Sequence, residues 1–158
     1  MSHTEKPLLA RIGFGIVTAT LLLAEIALTR VFSGTIGYYF AFMSISVAML
    51  GLGAGSLWVT LRGAVDVHPH TRAGNAAVGL SATAAASLLV YLAFYPTMGN
   101  EGLSGQIAYV GIFGALFLPF LCGGVLISTI FEAHHDEFAK YYAIDLVAAA
   151  IGCLVAVS

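Results

Sequence analysis

The stretch Glu132-Ala133-His134-His135-Asp136-Glu137 sets two imidazoles and three carboxylates in six consecutive positions. Both residue types bind divalent cations, and His68-x-His70 offers a second pair of donors in a comparable connecting segment. The spacing matches none of the structural zinc patterns, so His134 and His135 are metal candidates by residue type only. A solvated charged connector is the simpler reading. All five histidines (His3, His68, His70, His134 and His135) fall outside the long apolar stretches. That placement leaves no nucleophile–histidine pair and no axial ligand for a haem inside those stretches. No metal or cofactor is expected.

Within the apolar stretches the ionisable residues are Arg11, Glu25, Arg30 at an exit, and Asp145. A charge at mid-bilayer costs at least about 2.5–3.5 kcal/mol, and such groups are normally paired or functional. Depth constrains the pairing. Arg11, at the start of the first stretch, is the expected partner of Asp145, and Arg30 is expected to fold back toward Glu25. Clasps between helices are the plain interpretation; a proton or solute relay is the sharper one.

Gly51-Leu52-Gly53-Ala54-Gly55 has the look of a phosphate-cradling loop, but no strand precedes it and it lies in an apolar run. Gly51 and Gly55 instead form a G-x-x-x-G, which lets a neighbouring helix backbone approach closely. Ala48 extends this ridge, and Ala148, Ala149 and Gly152 form another. Pro119, followed by Cys122, Gly123 and Gly124, removes a donor to the Ala115 carbonyl and predicts a kink. Kinked helices line binding sites in some transporters; a kink for packing is the plainer reading.

These residues need elements to hold them, and composition says in which solvent. Of 158 residues, 59% are hydrophobic and 9% charged, with a mean hydropathy of +0.95. Soluble domains carry roughly 25% charged residues. The surroundings must therefore be a lipid bilayer. A net charge of −2 gives no basic face for nucleic acid, and Cys122 and Cys153, both in apolar runs, imply no disulfide framework. Charge-free runs longer than the roughly 20 residues needed to span hydrocarbon predict helices at Tyr38–Leu61, Ala76–Tyr95 and Ile107–Phe131. Two more, at Leu8–Leu28 and from Tyr141 to Ser158, carry Arg11, Glu25 and Asp145. The expected fold is all-α: a polytopic bundle of five transmembrane helices, one membrane module over residues 1–158. Its last span is still apolar at Ser158, as in a truncated span of a longer polypeptide.

Tyr38, Tyr39, Tyr91, Tyr95, Tyr109, Tyr141, Tyr142 and Trp58 fall near the expected span ends, as headgroup-level aromatics do. Lys6, Arg11, Arg62, Arg72 and Lys140 fall on one side and Arg30 on the other. By the positive-inside rule the amino terminus is cytoplasmic, together with the 62–75 and 132–140 loops. The Gly34–Gly37 and Pro96–Gln106 loops then face outward, in a multi-pass protein of the cell (inner) membrane. A cleaved signal peptide is disfavoured, because Glu25 and Arg30 stand where a small-residue cleavage site is needed.

The first span and its exit, Leu22-Leu-Ala-Glu25-Ile-Ala-Leu-Thr-Arg30-Val-Phe-Ser33, resembles the opening of the membrane region in spermidine-synthase-like integral membrane proteins. Gly37-Tyr-Tyr-Phe-Ala41, the run Ser44–Gly55, Leu118-Pro-Phe120 with Gly123-Gly124, and Tyr141-Tyr-Ala-Ile-Asp145-Leu-Val-Ala-Ala-Ala-Ile-Gly152-Cys are similar to the family in the same order. Ala148 stands where the family usually has glycine. Members often add a soluble aminopropyltransferase-like domain with a glycine-rich nucleotide loop, and none of those motifs is present here. The resemblance implies the amino-terminal membrane module without its catalytic half, and so no enzyme activity in these residues. The leading expectation is a non-catalytic module, an accessory subunit or scaffold, whose small-residue ridges meet further helices or partner subunits. The alternatives are a half-module of a small-solute transporter using the intramembrane carboxylates, and the anchor of a transferase encoded beyond Ser158.

Overall fold

The computed structural model describes residues 5–35, 37–62, 69–97 and 102–157. His3, His68 and the rest of residues 63–68 lie outside the described part, as does the side chain of His70. The described residues form α1 (Glu5–Thr35), α2 (Tyr38–Arg62), α3 (Pro69–Phe94), α4 (Leu103–Ala133) and α5 (Phe138–Val157). Short 3-10 turns stand at Tyr95–Thr97 and His135–Glu137, and no strand occurs among the described residues. Each of the five helices is long and apolar enough to cross a membrane. The fold is an all-α, multi-pass bundle.

Most helices are longer than the expected spans. α1 begins before Leu8 and runs on to Thr35, α3 starts at Pro69 rather than Ala76, and α4 covers Leu103–Ala133 rather than Ile107–Phe131. Ending spans at charges marks the hydrocarbon edge. A helix, however, satisfies its own backbone groups and continues through the headgroup layer until something stops it. Pro69 occupies the first position of α3, where its missing N–H costs nothing. Gly37, at φ +136, makes the α1–α2 corner: its N–H donates to the Phe32 carbonyl at 3.0 Å and its own carbonyl accepts from Phe40 at 3.0 Å. α4 is continuous through a buried Pro119 rather than broken there.

Packing follows side-chain size. The buried face of α2 is Ala41, Ser44, Ala48, Gly51, Gly55 and Val59, while Phe42, Met49, Leu57 and Trp58 point outward. Lipid solvates large apolar groups as well as protein does, so small residues mark the contacts and let backbones close in. α4 is the helix received there. A β-carbon on Gly124 would lie 2.3 Å from the Leu52 carbonyl oxygen, and one on Gly51 2.7 Å from Phe120 Cβ. The matched positions rise together, so α2 and α4 run parallel. α3 covers another side of α4, and α1 packs on α2. Leu21 and Phe32 of α1 bring its core face to Phe120, Ile112, Phe113 and Leu116 of α4.

Among the described residues the two outer helices each pack mainly on one other: α3 on α4, and α5 on α1. Gly15 faces Ile144 and Ala148, and Gly152 faces Ala19, so α1 and α5 are also parallel. These contacts correct one expectation. The Gly51/Gly55 ridge and, in the second ridge, Ala148 and Gly152, read from the sequence as surfaces awaiting company, are occupied within the chain, by α4 and by α1.

Candidate functional site

The end of the bundle where α1 begins carries a charged cluster. Arg11 donates to Glu137 at 2.6 Å, and Lys140 reaches the other oxygen of Glu137 at 2.9 Å. Arg11 therefore pairs with Glu137 of the α4–α5 connector, and not with Asp145 as its position suggested. The reason is reach. A long arginine stem near a helix end turns its head toward the polar layer, where Glu137 waits, while Asp145 lies two turns further into α5. Arg72 meets Glu132 at 3.5 Å at the same end, joining α3 to α4.

Asp145 is half-buried on the α1-facing side of α5. Its neighbour across the seam is Thr18, whose hydroxyl sits beside the carboxylate and also donates to the Gly15 carbonyl at 3.1 Å. Seven residues beyond Thr18 stands Glu25, also half-buried. Seven residues advance a helix by two turns with a drift of only about 20°. Arg11, Thr18, Glu25 and Phe32 thus form one line along α1, each about 10 Å from the next. Thr18 is 5% exposed and Phe32 fully buried, so Glu25, between them, points inward rather than at lipid.

Arg30 does not fold back to Glu25. It is exposed, and among the described residues no ion pair joins the two. Five residues turn a helix by about 140° away, which puts Arg30 near the opposite face of α1. The line of α1 therefore includes an inward carboxylate with no cation beside it among the described residues. The positions of α1 that face α5 are Gly15 and Ala19, and the core-facing neighbours of Glu25 are Leu21 and Leu28. Glu25 consequently borders the space between α5 and the α2–α4–α3 body, which α5 does not pack against along its length.

Aromatic rings close that space at the charged end. Phe14 makes edge contacts with Phe131 of α4 and Tyr141 of α5, each with centroids 5.6 Å apart. Tyr141 is 1% exposed, so it is a core ring rather than a headgroup anchor. Tyr91 and Tyr109 similarly pack against the Phe32 cluster. His134 lies tilted against Tyr141, ring centroids 4.7 Å apart, with Nδ1 3.1 Å from the Ile130 carbonyl, and His135 lies exposed beside Asp136 at 3.3 Å. Among the described residues no three His, Cys, Asp or Glu side chains converge on a metal position.

Sequence reasoning missed Thr18, it read Glu137 as part of a possible metal-binding stretch rather than as the partner of Arg11, and it took Gly124 for part of a kink rather than the counterpart of Gly51/Gly55. The seven-residue spacing from Arg11 to Glu25 could have pointed to Thr18. No protein-family model, curated protein or solved structure matches the chain.

Proposed function

We propose that this chain is a non-catalytic membrane module that packs against helices of a larger assembly, as an accessory or scaffold subunit of the cell membrane with its amino terminus cytoplasmic. One observation carries the reading: the bundle is open. Among the described residues α5 rests mainly on α1, and the cleft beside it holds an inward carboxylate with no described cation beside it. A bundle complete in itself would cover such a group or pair it. The resemblance of Leu22–Ser33 and Tyr141–Cys153 to the membrane region of spermidine-synthase-like proteins supports the same reading, because that region is one part of a larger helical body.

Extraction of the native membrane in mild detergent, followed by size-exclusion chromatography with light scattering, tests it. The expected result is a complex of fixed stoichiometry larger than the chain. A monodisperse monomer overturns the proposal.

A further inference from the structure

We infer that the cleft between α5 and the rest of the bundle receives a transmembrane helix of a partner subunit, and that this helix carries a lysine or arginine at the depth of Glu25. The inference rests on the module reading above and adds a place and a chemistry to it. Charge complementarity carries the choice of occupant. Two carboxylates border the cleft, Asp145 beside Thr18 and Glu25 about 10 Å further along α1. The cationic side chains among the described residues are committed or turned away. Arg11 and Lys140 are held by Glu137, Arg72 by Glu132, and Arg62 lies over the Trp58 ring at 4.1 Å. Arg30 occupies the far face of α1.

An ionised carboxylate at this depth is stable when a cation joins it. A helix brings one while also filling the apolar walls, and its backbone arrives already hydrogen-bonded. The Phe14, Phe131 and Tyr141 rings stop the cleft at the charged end. The occupant therefore enters from the membrane or from the opposite end.

The full chain, labelled at its amino terminus, is reconstituted in phosphatidylcholine vesicles with a leucine-rich transmembrane peptide carrying a single arginine at matched depth. Energy transfer reads association. The same peptide with glutamine in place of arginine is the reference. We expect the arginine peptide to bind about tenfold tighter, the scale of a good interhelical polar contact in a bilayer. Glu25→Gln should abolish that preference, and Asp136→Asn, in the exposed connector, should keep it. Glu25→Lys should shift preference to a peptide bearing aspartate, which keeps the test decisive if one variant folds poorly. Equal binding of the arginine and glutamine peptides, or a preference that survives Glu25→Gln, overturns the inference and assigns the cleft to an apolar helix or to lipid. The module reading has a separate fate. If the native complex persists with unchanged stoichiometry in Glu25→Gln, the module stands and the charged cleft falls; a monomeric wild type removes both.

Discussion

At Gly55 a β-carbon would stand 2.3 Å from the Leu121 carbonyl oxygen and 2.7 Å from the Val125 nitrogen. Both are backbone atoms, so only separation of α2 from α4 can relieve the clash. At Gly53, two residues away, the same atom would meet nothing within 4 Å. Gly55→Ala should therefore destabilise the protein by about 1–3 kcal/mol, the usual cost of overpacking, while Gly53→Ala should be neutral or slightly stabilising through helix propensity. Unfolding in mixed micelles checks both, and equal effects at the two sites would remove the close-approach argument. The Arg11–Glu137 pair makes a prediction of sign. Arg11→Glu should lower thermal stability, Arg11→Glu with Glu137→Arg should recover part of the loss, and the recovery should shrink at high salt because both groups are part-exposed and screened. Much of this scale was readable early: G-x-x-x-G alone predicts a close approach. What faced Gly55 was not readable, since Gly123-Gly124 beside Pro119 has two local meanings and only the neighbouring helix decides between them.

Among the elements α5 depends on one seam, because among the described residues it packs mainly on α1. The seam depends on small residues: on Gly15 a β-carbon would stand 3.2 Å from Ile144 Cγ2, and on Gly152 3.1 Å from the Ala19 carbonyl oxygen. A leucine at Gly15 should lever α5 away and expose its amides to exchange, whereas leucine at Gly13, open to its surroundings, should leave α5 protected. Hydrogen exchange by mass spectrometry in detergent reads the difference, and equal protection in the two variants would mean that α5 is held elsewhere. Element existence was plain from the charge-free runs, because the cost of a buried charge enforces them. Element ends were not. Val31–Thr35 and Thr71–Asn75 are helical although they lie outside the expected spans, since backbone hydrogen bonding, rather than apolarity, decides where a helix stops. Pairing was hidden for a related reason: Asp145 and Arg11 matched by depth, yet the stem of Arg11 turned toward the connector.

At the scale of the whole molecule, helices that alternate in direction gather their ends into two groups. Lys6 lies in the first turn of α1, Arg62 in the last turn of α2, Arg72 in the first turn of α3 and Lys140 in the first turn of α5. These residues share one end with Arg11, and Arg30 belongs to the other. Basic residues in short connections resist translocation, so an end with five of them should remain cytoplasmic. In a background with Cys122 and Cys153 replaced by serine, a membrane-impermeant maleimide should label Thr97→Cys in intact cells. His135→Cys should react only after permeabilisation. The reverse pattern would overturn the orientation and leave the helix packing untouched, because packing depends on Gly51, Gly55 and Gly124 rather than on the side they face. A second intervention probes the cause. Exchanging Arg62 and Arg72 for glutamine while placing two lysines at Gly34 and Thr35 changes the balance from five against one to three against three. Labelling should then become mixed, with both cysteines reactive in intact cells to a partial extent. A single orientation surviving that exchange would show that something other than loop charge, such as the order in which the helices insert, fixes how this bundle sits in its membrane.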